Sequence, residues 1–247
     1  MSMPSPRKIA ILMGLYLSKF DEKGIKALGF KGSVEAFNTL GYAIGAKPAS
    51  IKNYRDEFDP YFNNPRKGWH NRSLREHCKL VLEEYQTLDF EAFTELIKSV
   101  LFENYTVEKF INSLVQKDYA ETVAKRLITG KAAEEFFREN YSYVPQFEDF
   151  TLKDTTLLAC GFDFKLERNS DYYCVEVKGL QSKSGTITFT EKEFSVAEKL
   201  SDSFALYVVT NFAEKPTPKI IFNPLKSTLR FVKTEKLVSQ ISFSATF

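Results

Sequence analysis

The feature that most constrains this chain is a change of texture along its length: residues 1 to about 128 read as helices, and from about residue 159 the pattern becomes strand-like. In the first part, apolar residues recur at three- and four-residue steps. Phe90, Phe93, Leu96, Ile97, Val100 and Leu101 do so across Phe90–Phe102, the spacing of one helical face. The same reading predicts helices over 34–45, 48–62, 74–87, 107–115 and 119–127. Beyond residue 129, helices and strands mix. Segments 161–167 and 172–177 alternate apolar and polar residues, and 205–209 is a continuous apolar run typical of a strand buried on both faces. Further strands are predicted over 185–189 and 219–222, and helices over 131–140 and from the capping box Thr190-Glu191-Lys192-Glu193 to Leu200. The 247 residues therefore read as an all-α domain, 1–128, followed by an α/β domain with a mixed sheet flanked by helices, 129–247, with Thr129-Gly130 as the expected boundary.

Several classes are excluded. The 23 Phe and 12 Tyr are spread along the whole chain, unlike the aromatic-poor composition of disordered segments. The longest apolar run, residues 9–17, is nine residues, about half of what a bilayer crossing needs. Arg7 and Lys8 precede it, but Lys19, Phe20 and Asp21 follow with no small-residue cleavage site, so an amphipathic first helix is expected and no membrane association. Cys78, Cys160 and Cys174 are too few and scattered for a disulfide framework, which points to a reducing, cytoplasmic setting. His70 and His77, even with Cys78, do not complete a tetrahedral zinc site without carboxylates. Any catalysis is left to carboxylates and amines.

The carboxylates have a pattern. Asp163 falls in one predicted strand; Glu176 and Lys178 fall in the next, two apart and so on one face, with Val177 on the other. A hairpin through Asn169-Ser170-Asp171 brings Asp163 to that face. Two carboxylates held together repel each other, so a divalent cation is their natural partner; Mg²⁺, with Mn²⁺ as substitute, suits one or two carboxylates completed by waters and phosphate oxygens. The cation would be held by Asp163 and Glu176, with Lys178 orienting a water or stabilising developing charge, and both Glu176 and Lys178 are expected on a solvent-facing strand edge. The plain alternative is a cross-strand charge pair, and a lone Glu-x-Lys carries little weight in a chain with 27% charged residues.

Asp…Glu-x-Lys across adjacent strands resembles the PD-(D/E)XK nuclease superfamily. Gly130-Lys131-Ala132-Ala133-Glu134-Glu135-Phe136-Phe137, Cys160-Gly161-Phe162-Asp163-Phe164, Tyr173-Cys174-Val175-Glu176-Val177-Lys178-Gly179, Ile187-Thr188-Phe189-Thr190-Glu191-Lys192-Glu193 and Ala205-Leu206-Tyr207-Val208-Val209 together look like the No Vein carboxy-terminal domain group. That nuclease-like branch is found in many bacterial defence and restriction proteins, and the resemblance covers roughly 128–225. It implies a restriction-endonuclease-like fold and metal-dependent phosphodiester hydrolysis, with Asp163 and Glu176 as metal ligands, Lys178 as catalytic lysine and Glu134 as an auxiliary acid, Glu135 being a close rival. Phe162 departs from the nominal proline before the aspartate.

In the first half, 34–45, a tight turn and 48–62 resemble a helix-turn-helix, with Pro48 suited to the first helical position. Ile51, Tyr54 and Phe58 form the inner face, and Ser50, Lys52, Asn53 and Arg55 an outward face able to contact bases or phosphates. The stretch 63–72 interleaves Arg66, Lys67 and Arg72 with amides and Trp69, free of acids, as a phosphate-contacting loop would. Net charge, +2, does not itself indicate a polyanion partner, but residues 47–79 hold eight Lys and Arg against four Asp and Glu. The stretch 51–60 with 66–69 also looks like a module placed ahead of restriction-type nuclease domains. The competing reading is a solvated charged helix. Together these features predict a DNA endonuclease of type II restriction character acting on double-stranded DNA as a homodimer, with a cognate methyltransferase as genetic partner. The alternatives are a non-catalytic DNA-binding or regulatory protein and a nuclease subunit of a larger complex. No Gly-x-x-x-x-Gly-Lys-Ser/Thr loop is present, so a nucleotide-driven step would come from another subunit.

Overall fold

The computed structural model describes residues 5–66, 73–102 and 120–235. The expected helix 107–115, and Lys67, Trp69, His70 and Arg72, lie outside the described residues. Helices α1 (Pro6–Ala27), α2 (Ser33–Ala43), α3 (Pro48–Phe58), α4 (Glu76–Tyr85) and α5 (Phe90–Phe102) make the amino-terminal part. Then come α6 (Ala120–Asn140), β1 (Thr151–Asp154), β2 (Phe164–Arg168), β3 (Asp171–Gly179), α7 (Glu191–Leu200), β4 (Phe204–Thr210) and β5 (Thr217–Phe222).

The first helix is not amphipathic. Ten successive residues, 9–18, are buried, because α3, α4 and α5 all pack on α1 and leave it few open sides. Its apolar run is a core helix, and among the described residues no helix is long and apolar enough to cross a membrane. In α3 the expected inner face is confirmed: Ile51, Tyr54 and Phe58 are buried and Pro48 opens the helix.

The five strands form one mixed sheet in the order β1-β2-β3-β4-β5, antiparallel except for the parallel pair β3–β4. The β2–β3 hairpin turns through Asn169 and Ser170, with Asn169 at φ 55°, a conformation asparagine tolerates. The parallel pair requires a crossover, and α7 supplies it, opened by Thr190, whose side chain accepts from Glu193 N while Glu193 returns to the Thr190 N–H. The predicted strand 185–189 is instead irregular. β3 is already paired along Phe164–Arg168 on one side and Phe204–Val209 on the other, so the segment has no free edge to join there and serves as the lead into α7. Strand β1, Thr-Leu-Lys-Asp, leaves no period in the sequence, because a mostly exposed four-residue edge strand carries a single apolar residue.

Two clusters bracket the sheet. Phe137 of α6 is fully buried, with its ring centroid 5.0 Å from Phe164 and 4.7 Å from Tyr207, so α6 covers one face. Ala197 of α7 packs with Cys174 and Phe204 on the other. Along β3, Val175 and Val177 belong to the α6 side and Cys174 to the α7 side, as the two-residue period of a strand demands. Helix α6 runs unbroken through Thr129-Gly130, and the larger core continues from α1 to Phe212, so no linker separates the two parts at that point.

Candidate active site

The site arises where β2 and β3 part. Their regular pairing ends at Phe164 and Val175; one residue earlier Asp163 N donates to Val175 O at 3.0 Å, and Thr155 N donates to Asp163 O at 2.9 Å as the chain turns away toward β1. The next inward donor on β3, Val177 N–H, is taken by the Asp163 side chain (Oδ2, 3.0 Å) rather than by a strand. Gly161, at φ 93°, makes the approach possible: a Cβ there would stand 2.8 Å from Val196 Cγ2 and 3.3 Å from Lys192 O of α7.

Glu176 and Lys178 share the β3 face turned to α7, opposite Val175 and Val177, and Asp163, next to the inward-facing Phe164, falls on that same side. The sequence placed the pair on a solvent-facing edge. The structure corrects this: β3 is the central strand of five, Glu176 is 2% exposed and Asp163 3%. The reason is α7, which closes over this face. From it Glu193 reaches Lys178, so that Lys178 Nζ lies 2.6 Å from Glu176 Oε1 and 2.9 Å from Glu193 Oε2. Glu193 Oε2 also accepts from Thr190 N at 2.8 Å, so a single carboxylate oxygen completes the helix cap and receives the ammonium.

Three carboxylates thus surround one amine. Burial, followed by the neighbouring Asp163, holds the Glu176 carboxyl well above its ordinary value, and Lys178 offsets only part of this. Burial acts to lower the Lys178 ammonium, but Glu176, Glu193 and Asp163 outweigh it and keep the amine charged. Burial acts to raise Glu193, yet Lys178 and the Thr190 N–H prevail and hold it below the usual carboxylate range. The cluster therefore has more anionic capacity than one ammonium neutralises, with Glu176 as its least comfortable anion. That suits a hard divalent cation. Among the described residues no group of three or more His, Cys, Asp or Glu side chains is arranged to hold a metal on its own. A Mg²⁺ here would take Asp163 and Glu176 and complete its shell with waters and phosphate oxygens, an arrangement normal for this ion.

Glu134 stands half-buried on α6, the helix that covers the opposite sheet face, one residue after Ala133, whose Cβ would be 3.1 Å from a Cβ placed on Gly179. Its rival Glu135 is bound to Arg138, which also holds Asp154 at 2.5 Å. Glu193 is the member that sequence reasoning missed as a site residue. Thr190-x-x-Glu193 signalled a helix start, and nothing in that signal states that the capping glutamate faces a lysine on another element.

In the amino-terminal part, Lys52 and Asn53 are exposed and Ser50 is half-buried, as an outward face requires, with Lys52 paired to Asp56 at 2.7 Å. Arg55 is not on that face. It is 8% exposed, hydrogen-bonded to Asp56 at 2.8 Å and stacked 4.7 Å over the Phe37 ring, because the helical period turns it toward α2. Arg66 is likewise committed inward: Nε and Nη2 donate to the two oxygens of buried Asp59 at 2.9 and 2.8 Å, and Nη1 pairs with Asp21 at the α1 kink.

Residues 133–221 match the family model described as Protein NO VEIN, C-terminal. No curated protein and no solved structure matches the chain. The stretch running from the later part of α6 through β5, which carries Asp163, Glu176, Lys178 and Glu193, is thus similar to the No Vein carboxy-terminal domain, a PD-(D/E)XK-like nuclease domain.

Proposed function

We propose that this chain is a divalent-metal-dependent deoxyribonuclease that hydrolyses phosphodiester bonds of double-stranded DNA in the manner of a type II restriction enzyme. The observation that carries the reading is the convergence of Asp163, Glu176 and Lys178 at the point where β2 and β3 separate, inside the stretch similar to the No Vein domain. Bound there, Mg²⁺ or Mn²⁺ would polarise the scissile phosphate and acidify a water. Asp163 and Glu176 supply the anionic seat. Lys178, charged and anchored at two oxygens, is the group on hand to orient the attacking water and stabilise charge developing on the phosphate. The exposed Lys52 and Asn53 of α3, with half-buried Ser50 beside them, support DNA contact by the helical part, and two copies of the chain would present one site to each strand of the duplex. A cognate methyltransferase would then protect the host's own sites.

A second reading, a DNA-binding protein without catalysis, draws on one observation. Among the described residues every fully buried side-chain nitrogen and oxygen has a partner, so the cluster satisfies itself as a structural ion network would. One experiment separates the two: purified protein is incubated with unmodified and methylated plasmid, with and without Mg²⁺. Metal-dependent linear or nicked product supports the nuclease. Binding by gel shift with intact plasmid under every condition would establish the non-catalytic reading instead.

A further inference from the structure

Lys178 and a divalent cation compete for the same carboxylate. In the structure the ammonium sits 2.6 Å from Glu176 Oε1, a donor atom that the nuclease reading requires for metal. Left to Glu176 alone, the half-buried lysine would hold that oxygen closely, since Glu176 is itself buried and has little water with which to exchange partners. Glu193 changes the balance. Its Oε2 lies 2.9 Å from the same nitrogen, it is carried by a different element, and the Thr190 N–H fixes its orientation.

We propose that Glu193 is a positioning residue that shares Lys178 with Glu176, so that the amine keeps an anionic anchor on α7 when Glu176 turns to a cation. The inference rests on the nuclease reading and adds to it a residue outside the Asp…Glu-x-Lys set. Without the Glu193 charge, Lys178 leans wholly on Glu176 and metal must displace it. With the charge, part of the amine's attraction is already directed elsewhere, and metal entry leaves the lysine in place beside it.

Glu193 also closes a capping box, and the two roles are separable by substitution. Glu193→Gln keeps a side-chain oxygen for the Thr190 N–H, since glutamine serves equally at this capping position, and removes only the charge. Thr190→Ala breaks the other arm of the box, the Thr190 hydroxyl accepting from Glu193 N, and leaves the ion pair to Lys178 intact.

The experiment is a calorimetric titration of the full chain with Mn²⁺ in the absence of DNA. The variants are wild type, Glu193→Gln, Thr190→Ala, Lys178→Met and the Glu193→Gln/Lys178→Met double variant, each checked for native circular dichroism. Glu193→Gln should weaken Mn²⁺ binding roughly tenfold, the loss of one charge-assisted contact, while Thr190→Ala leaves it within about twofold. In the Lys178→Met background, with the competing amine gone, the Glu193→Gln effect should fall below about threefold. The inference is overturned if Glu193→Gln binds Mn²⁺ as wild type does, if Thr190→Ala reproduces the loss, or if the effect is undiminished without Lys178. If wild type itself binds no Mn²⁺, the nuclease reading falls and takes this inference with it; that result is distinct from tight binding indifferent to Glu193.

Discussion

Arg66→Ala separates a scaffold arginine from a DNA-reading one. The Asp59 side chain is 0% exposed and accepts from Arg66 Nε at 2.9 Å, from Arg66 Nη2 at 2.8 Å and from Ser18 Oγ at 2.7 Å. Removing the guanidinium deletes both charge-assisted bonds and leaves a buried carboxylate with one neutral donor. Breaking a buried pair in this way costs about 3–5 kcal/mol, and the surviving Ser18 bond together with the 19% exposure of Arg66 favours the lower end, about 3 kcal/mol. At about 2.1 cal/mol/K per residue, a chain of 247 residues has an unfolding entropy of about 0.5 kcal/mol/K, so the melting midpoint should fall by about 6 °C. Thermal circular dichroism measures this directly. Arg66→Leu combined with Asp59→Asn, which removes both charges, should recover more than half of the loss. The surface control Lys52→Ala, whose pair with Asp56 is half exposed on the lysine side, should shift the midpoint by about 1 °C or less. A midpoint unchanged within about 1 °C in Arg66→Ala, with weaker DNA binding and a flatter salt dependence, would refute this reasoning and return Arg66 to the phosphate-contacting role its sequence context suggested.

Three further outcomes are expected. Glu176→Gln, which preserves volume, should abolish plasmid cleavage with little effect on the melting midpoint, whereas Lys178→Ala should abolish cleavage and also lower stability, because it leaves three acids without their ammonium; near wild-type cutting by either would place catalysis elsewhere. Burial works to raise Asp56, but Lys52 and Arg55 outweigh it and hold its carboxyl below the usual carboxylate range. A depressed carboxylate stabilises the fold above its unfolded pKa, and that contribution is lost as pH falls through the folded value. Asp56→Asn should therefore be less stable than wild type at pH 7, with the gap closing in denaturant titrations run progressively below about pH 4. Finally, burial pushes the Cys78 and Cys174 thiols up to about 12 and about 11, so both should resist a thiol reagent at pH 8 in the native protein and react on unfolding; prompt native labelling of either, read by mass spectrometry, would contradict their placement.

The sequence by itself determined whatever depends on neighbours along the chain. Periodicity located the helix over Phe90–Phe102 to the residue, and the capping box marked the start of α7, because both signals are local hydrogen-bond and packing patterns. The alternation around Asp163 and Glu176 placed Glu176 and Lys178 on one face for the same reason: side-chain direction in a strand is fixed by residue parity. Burial and partnership are not local. That Ile9–Ser18 would be covered on nearly every side depended on three helices packing around α1. Arg55 and Arg66, basic residues in a basic stretch, turned inward because Asp56, Asp59 and Asp21 were waiting there, Asp59 at the end of α3 and Asp21 at the kink of α1. Glu193 looked like a cap and became the second anchor of Lys178 only when β4 was laid down parallel to β3, bringing α7 across the face that the Glu-x-Lys strand presents. A crossover connection is a decision of the whole sheet, and no window of sequence contains it.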